Sequence, residues 1–303
     1  MTNQKSMRKT YWKDSAFRWI GIISIAFSLV VLAILIFDVL SDGLSRINWA
    51  FFTSFPSRKA EQAGVLSAWV GTLWIMMTTA LLAIPLGIAA AIHLEEYSRR
   101  NWITNLIEIN IANLAGVPSV IYGLLGLSLF VRTMHLDRSV LAGGMTLALL
   151  ILPVVILSTR ESLRAVPKSI REASYALGAT KWQTIWNQVL PAALGNMLTG
   201  IILSMSRAIG ETAPLISVGA LTYIAFLPTS PIELTSHFPF VHLSLKGFLD
   251  PFTALPIQIF NWISRPQKAF SVNAAAGIIV LLIITLLMNA VAIVLRNKNE
   301  KRW

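Results

Sequence analysis

The sequence predicts an all-α, polytopic membrane helix bundle of about six transmembrane helices. Hydrophobic residues make up 55% of the chain and charged ones 13%, against roughly 25% charged in ordinary soluble domains. Charge-poor apolar runs reach the roughly 20 residues that cross a bilayer as helix. None alternates with the period of two of a membrane strand, and lipid offers no partner to open backbone groups. The expected spans lie near 20–40, 68–92, 109–130, 139–158, 193–213 and 274–295. Residues 1–18 form an N-terminal segment, and 19–303 a single transmembrane domain without an evident internal repeat or linker.

Each element has its own justification. The run near 20–40 lacks a clear small-residue cleavage site and outlasts a signal peptide, so it is an uncleaved anchor. The third run contains Gly116 and Pro118, which can break or bend it. Gly123 and Gly126 in the same run suit close helix packing. Asn110 and Asn113, one turn apart, either line a path or bond a neighbouring helix. Thr212–Ile232 is uncharged enough to suggest a seventh span, but Pro214, Pro228 and Pro231 interrupt it. We expect Pro214–Phe226 to be a re-entrant or surface-lying element, and 214–273 to form an outer loop.

Six spans place the N-terminus, the 94–102 loop, the 159–192 loop and the C-terminus on one side. Lys5, Arg8, Lys9, Lys13, Arg18, Arg99, Arg100, Arg160, Arg164, Lys168, Arg171, Lys181, Arg296, Lys298, Lys301 and Arg302 are there. Arg46, Arg58, Lys59, Arg132, Arg138, Lys246, Arg265 and Lys268 are spread over the longer loops opposite. The first side is therefore expected to be cytoplasmic. The net charge of +11 is mostly topological, so it does not point to nucleic acid.

Residues 168–191 are polar and amphipathic between apolar runs. Ser169 and Glu172 have capping-box spacing, Gly178 can close a helix in a left-handed conformation, and Thr180 with Gln183 opens a second helix that Pro191 limits. Ile170, Ala173 and Leu177 make one apolar stripe; Trp182, Ile185, Trp186 and Val189 make another. Such a hairpin is either a docking surface or a rest on lipid headgroups. It resembles the Glu-Ala-Ala-x3-Gly-x9-Ile-x-Leu-Pro loop of bacterial ABC-importer permeases. Glu172, Ala173, Gly178, Leu190 and Pro191 match; Ser174 replaces the second Ala, and Gln188 the Ile. The resemblance implies a coupling-helix loop that inserts into an ATP-hydrolysing subunit, within a type I importer permease.

Near the end of the fifth span stands Arg207-Ala-Ile-Gly210-Glu211-Thr212-Ala-Pro214. At ~1.5 Å per residue, Arg207 lies about 20–23 Å along a helix starting near Pro191. An ionisable group at that depth faces a bundle interior or a water-filled path. Glu211, four residues on, shares its helix face. A self-neutralising pair that snorkels outward remains the other account.

This run resembles a motif of PstA-type phosphate-importer permeases. Ala115–Gly126 resembles their second motif, and Ala254–Phe260 extends the likeness over nearly the whole chain. The resemblance implies a subunit passing inorganic phosphate, with Arg207, Gly210, Glu211 and Thr212 along the path and Gly116, Pro118 and Pro214 as helix bends. It implies a sister permease (PstC-like), two ATPase subunits (PstB-like) and an external phosphate-binding protein (PstS-like), in the bacterial inner membrane.

Other residue patterns narrow the function. The chain has no Cys and four scattered His, without metal-ligand spacing. No Gly-Lys-Ser/Thr phosphate loop occurs, so the chain is expected to be no enzyme and to bind no cofactor, ATP and magnesium residing on a partner. A permease for sulfate or molybdate would share the 168–191 loop without the Arg207–Pro214 run. A stand-alone secondary transporter would lack the loop.

Overall fold

Backbone hydrogen bonds inside an apolar run must close within the run, and helix is the form in which they do. The computed structural model describes residues 2–99, 101–221, 223–230, 232–234 and 241–299. Arg100, Pro231, His237, Lys301 and Arg302 lie outside the described residues. Among those described, Ser15–Arg46, Leu66–Tyr97, Val140–Arg164, Lys181–Gly210 and Lys268–Lys298 are long and apolar enough to cross a bilayer. A sixth candidate is a pair, Trp102–Ala115 and Ser119–Thr133, bent by 101°.

Helix α1 (Thr2–Gly43) runs unbroken from the basic N-terminal segment into the first apolar run. No structural boundary falls near residue 18. Short α2 (Trp49–Thr53) opens at Asn48, whose side chain accepts from the Phe51 amide at 2.8 Å. Helix α3 (Leu66–Ile92) continues through Pro85 into a π turn, His93–Tyr97. Asn101 caps α4 (Trp102–Ala115) by accepting from the Thr104 amide.

The expected third span, 109–130, is not one rod. It starts earlier, at Trp102, and breaks between Ala115 and α5 (Ser119–Gly126), which a π turn extends to Thr133. Pro118 disfavours helical backbone at the preceding Val117, which belongs to neither helix, and Gly116 ends α4. The Tyr122 hydroxyl donates to the Leu114 carbonyl at 2.8 Å across the break. Helix α6 (Val140–Arg164) is capped by Ser139. Then come α7 (Lys168–Ala176), α8 (Lys181–Thr184) and α9 (Leu190–Gly210).

Among its described residues, Thr212–Ile232 holds no crossing helix. Six-residue α10 (Ala213–Val218) ends at Gly219, whose φ of 97° is left-handed, and its Pro214, Leu215 and Val218 are buried. The outer segment is more structured than expected. An antiparallel ribbon pairs β1 (Ile232–Leu234) with β2 (Val241–Leu243), the only strands among the described residues. Helix α11 (Leu255–Ile263) returns into the core with Leu255, Ile257 and Trp262 buried. Helix α12 (Lys268–Asn299) starts six residues before the expected span, at Lys268 instead of Ala274.

Helix α6 is the centre: 67% of its most apolar window is buried, against none for α1. A Cβ on Gly144 would stand 2.5 Å from the Thr78 methyl, and one on Gly87 2.5 Å from a Val155 methyl, so glycine brings α3 and α6 together. Helix α9 packs beside α3 on an adjoining face of α6, with Gly200 against Ser158.

The end of the bundle carrying α11 is pinned to α3 by the Leu255 amide, which donates to Thr72 Oγ1 at 2.9 Å. Gly71 there lies under the Thr253 carbonyl, where a Cβ would collide with backbone. Gly71→Val should therefore cost about 1–3 kcal/mol of stability, the usual penalty of overpacking. A lowered unfolding temperature of the detergent-solubilised protein checks it; an unchanged one contradicts the contact.

Candidate functional site

Two features stand out: a helical hairpin at 168–191, and an uncovered stripe on α9 that ends in Arg207. The hairpin's turn is specified residue by residue. The Leu177 amide donates to the Ala173 carbonyl and the Gly178 amide to that of Tyr175, while Gly178 takes φ 82°. Thr180 then caps α8: the Gln183 amide donates to its hydroxyl, and its own amide donates to Gln183 Oε1 at 2.8 Å. The second capping box thus forms as spaced.

The first does not. Helix α7 starts at Lys168 with Pro167 before it and no side-chain cap, because the fixed φ of Pro167 already sets the entry. Ser169 and Glu172 fall inside the helix, and both are exposed. Nor does Pro191 limit the second helix. Residues 185–189 form a π turn, and the helix runs on from Lys181 to Gly210. The wider turn accommodates the N–H that Pro191 lacks and the crowding of its ring against the preceding turn.

Of the expected stripes, Ile185 and Val189 are buried, whereas Trp182 and Trp186 stack outward with centroids 5.5 Å apart. Leu177 is 90% exposed at the tip. An open groove of about 620 Å³ lies between the two helices, lined by Ala173, Ser174, Leu177, Gly178 and Gln188 among others. Ser174, which departs from the Glu-Ala-Ala pattern, has a local role: its hydroxyl meets that of Thr184 at 2.9 Å and ties the helices together. Glu172 and Ala173 are exposed beside Ser174, while Leu190 and Pro191 are half-buried in the continuing helix.

On α9, Ala193, Met197, Ile201, Met205 and Ala208 face the core. Asn196, Thr199, Leu203, Arg207 and Gly210 recur at three- and four-residue spacing along the opposite, exposed face. The Arg207 side chain is half-exposed, and its Nε lies 3.4 Å from Glu211 Oε1. Glu211 does not share a helix face with it. Helix α9 ends at Gly210, since Pro214 has no N–H for the Gly210 carbonyl, and Glu211 is extended with ψ 119°. The carboxylate reaches back from the cap position, still in contact.

Thr212 stands at the N-cap of α10, and Pro214 in the first turn of that helix; it does not bend the fifth span. Gly123 of α5 packs on α10, where a Cβ would lie 2.7 Å from Pro214 Cα. Gly126 packs on Thr146 of α6, so both glycines serve close packing. Gly116 and Asn113 are exposed, and Asn110 donates to its own helix at the Leu106 carbonyl.

Sequence reasoning missed an ionic network behind the hairpin. Glu95 and Glu96 in the π turn after α3, Glu108 on α4, Arg160 and Arg164 on α6, and Arg171 on α7 pair with one another. In sequence these arginines read as topological charge alone. The partners lie 52 to 75 residues apart, so spacing could not match them. The available signal was an arginine inside the last turns of an apolar helix, which requires a counter-charge.

Comparison with known proteins adds the family. Residues 83–303 match the binding-protein-dependent transport system inner membrane component family. The chain belongs to that family. Residues 4–53 of this permease also match a domain of unknown function. It is 31% identical over 297 residues to the phosphate transport system permease protein PstA of Yersinia pestis, covering 97% of this chain and 94% of that one. PstA 1 of Mycobacterium tuberculosis H37Rv is 33% identical, over 92% and 86%. The probable ABC transporter permease YqgI of Bacillus subtilis is 31% identical over 74% of each.

Two structures of the MetNI methionine ABC transporter in inward-facing conformations share the permease's fold. Their TM-scores are 0.55 and 0.58, at 13% and 16% identity, over 76% of this chain and 94% of theirs. The permease is a multi-pass inner-membrane component of a transport system, as its sequence resemblance implied.

Proposed function

We propose that this permease subunit passes inorganic phosphate across the cytoplasmic membrane in an ATP-driven importer. The observation that carries the reading is the exposed face of α9. A stripe holding Asn196, Thr199 and a half-exposed Arg207 is costly against lipid and suited to a polar path or a partner that completes one. Arg207 supplies a permanent charge and a planar fork that fits an oxyanion. Glu211 moderates its field, so that the ion can leave. The PstA relatives add the choice of phosphate over sulfate or molybdate. A secondary transporter working alone would have no use for the hairpin.

The partners follow from the two open surfaces. The α9 face is completed by a sister permease, PstC-like; the hairpin enters a groove on one of two PstB-like ATPases; a PstS-like binding protein delivers phosphate from outside. ATP and magnesium belong to the ATPases, and this chain binds no cofactor. Both termini are cytoplasmic, on the side rich in Lys and Arg.

Three outcomes check this. Arg207→Gln should lower labelled-phosphate uptake by vesicles carrying the whole complex at least about tenfold, with the ATPase still bound, and Arg207→Lys should recover only part. Normal uptake by Arg207→Gln would move the anion path elsewhere.

Gly178→Val acts through the backbone alone, since a Cβ there meets nothing within 4 Å and φ is 82°. A β-branched residue resists that conformation, so the permease should insert but lose the ATPase on purification and stop transporting. Retention of both ends the docking assignment.

The chain has no cysteine, which makes single labels clean. Gln188→Cys should react with a membrane-impermeant thiol reagent only in opened cells, and Leu245→Cys in intact ones. The reverse pattern inverts the topology.

A further inference from the structure

The network behind the hairpin joins four elements end to end. Helix α7 buries none of its residues and follows α6 through the short link Ala165-Val166-Pro167. Arg171 holds it in place. Its Nη1 donates to the Val166 carbonyl at 2.8 Å and its Nη2 to the Leu163 carbonyl at 2.9 Å. Nε and Nη2 both donate to Glu96 Oε1, at 3.1 and 2.6 Å. The Glu96 side chain is only 7% exposed.

Glu95, the neighbour of Glu96, accepts from Arg160 Nε at 2.9 Å and from Arg164 Nε at 2.8 Å. The far end of the Arg160 fork reaches Glu108 on α4, and that arginine is also 7% exposed. The contacts run α7, the end of α3, α6, α4. Glu161 also pairs with Arg164, at 3.6 Å, so four carboxylates meet three arginines and no positive charge is left over to hold an anion.

A staple for α7 alone would stop at Glu96. This one continues to α4, the limb that bends by 101° into α5, and α5 packs on α10 just past Arg207 and Glu211. We propose that Arg171 and Glu96 are positioning residues that make the hairpin and the broken helix α4–α5 move as one body, carrying displacement from the docked ATPase to the anion path. Well-formed charged hydrogen bonds in a poorly exposed site are stiff enough for this role. Without them, α7 would swing on Pro167 and the displacement would be lost there. The proposal rests on the docking reading above.

The test uses the complete complex in vesicles, with Glu96→Cys and Arg171→Cys together in the otherwise Cys-free permease. With both thiols free, the ATPase should co-purify in normal amount and hydrolyse ATP, while phosphate taken up per ATP falls about tenfold. A short bifunctional thiol reagent joining the two positions should then restore uptake. Arg171→Lys, which keeps the charge but not the fork, should fall between the free pair and the unaltered protein. Undiminished uptake with free thiols, or a cross-link that leaves uptake low, overturns the link. Loss of the ATPase from the free-thiol complex also overturns it, since the pair would then shape the docking surface instead. Failure of the docking reading shows separately, as ATPase retained by Gly178→Val.

Discussion

Lipid gives two apolar helices little hydrophobic reason to meet, so their association depends on how closely their backbones approach. In this permease that approach is made by α3 and α6, where Gly87 and Gly144 leave room for Val155 and Thr78. Thr79 uses the closeness to donate to the Gly144 carbonyl at 3.2 Å. The remaining contacts are variations on the same device: Gly126 of α5 on Thr146, Gly200 of α9 on Ser158, Gly71 of α3 under Thr253. Helix α6 takes part in four of these five glycine contacts. The positions of the broken helix and of α9 both follow from that central rod.

The Arg207 region is built from interruptions. Gly210 and Pro214 stop α9, Gly116 and Pro118 split the third run, and Gly219 ends α10. Each break exposes backbone that a continuous helix would satisfy, and bilayers tolerate this only where protein or a polar path supplies partners. The Tyr122 hydroxyl on the Leu114 carbonyl is one such partner. Irregular backbone gathered around one half-exposed arginine distinguishes this part of the bundle from the regular packing elsewhere.

Much of the fold was legible because lipid enforces it locally. The helical runs, the break at Gly116 and Pro118, the left-handed Gly178 and the Thr180–Gln183 cap depend on residues close in sequence. What was not legible depends on distance or on proline in context. Pro191 reads as a stop, yet a π turn absorbs it; Pro214 reads as a kink, yet it opens a new helix. Helix α11 is apolar but short, and only its burial against Phe51 and Phe270 explains it. The arginine–glutamate network was illegible for the same reason, its partners being distant in the chain. The four-residue spacing of Arg207 and Glu211 predicts that they meet, and they do, although the carboxylate reaches its partner from beyond the helix end.

The π turn at 185–189 has a geometric consequence. An extra residue wound into regular α-helix rotates everything beyond it by about 100°, and the wider π turn takes up that residue without the rotation. Lys181–Gly210 is one rod of 30 residues, with the outward Trp182–Trp186 stack at one end and the Arg207 stripe at the other. The turn sets the angular phase between them. The same residues wound as unbroken α-helix would keep both surfaces, yet present the hairpin to its partner about a quarter-turn out of step with the arginine.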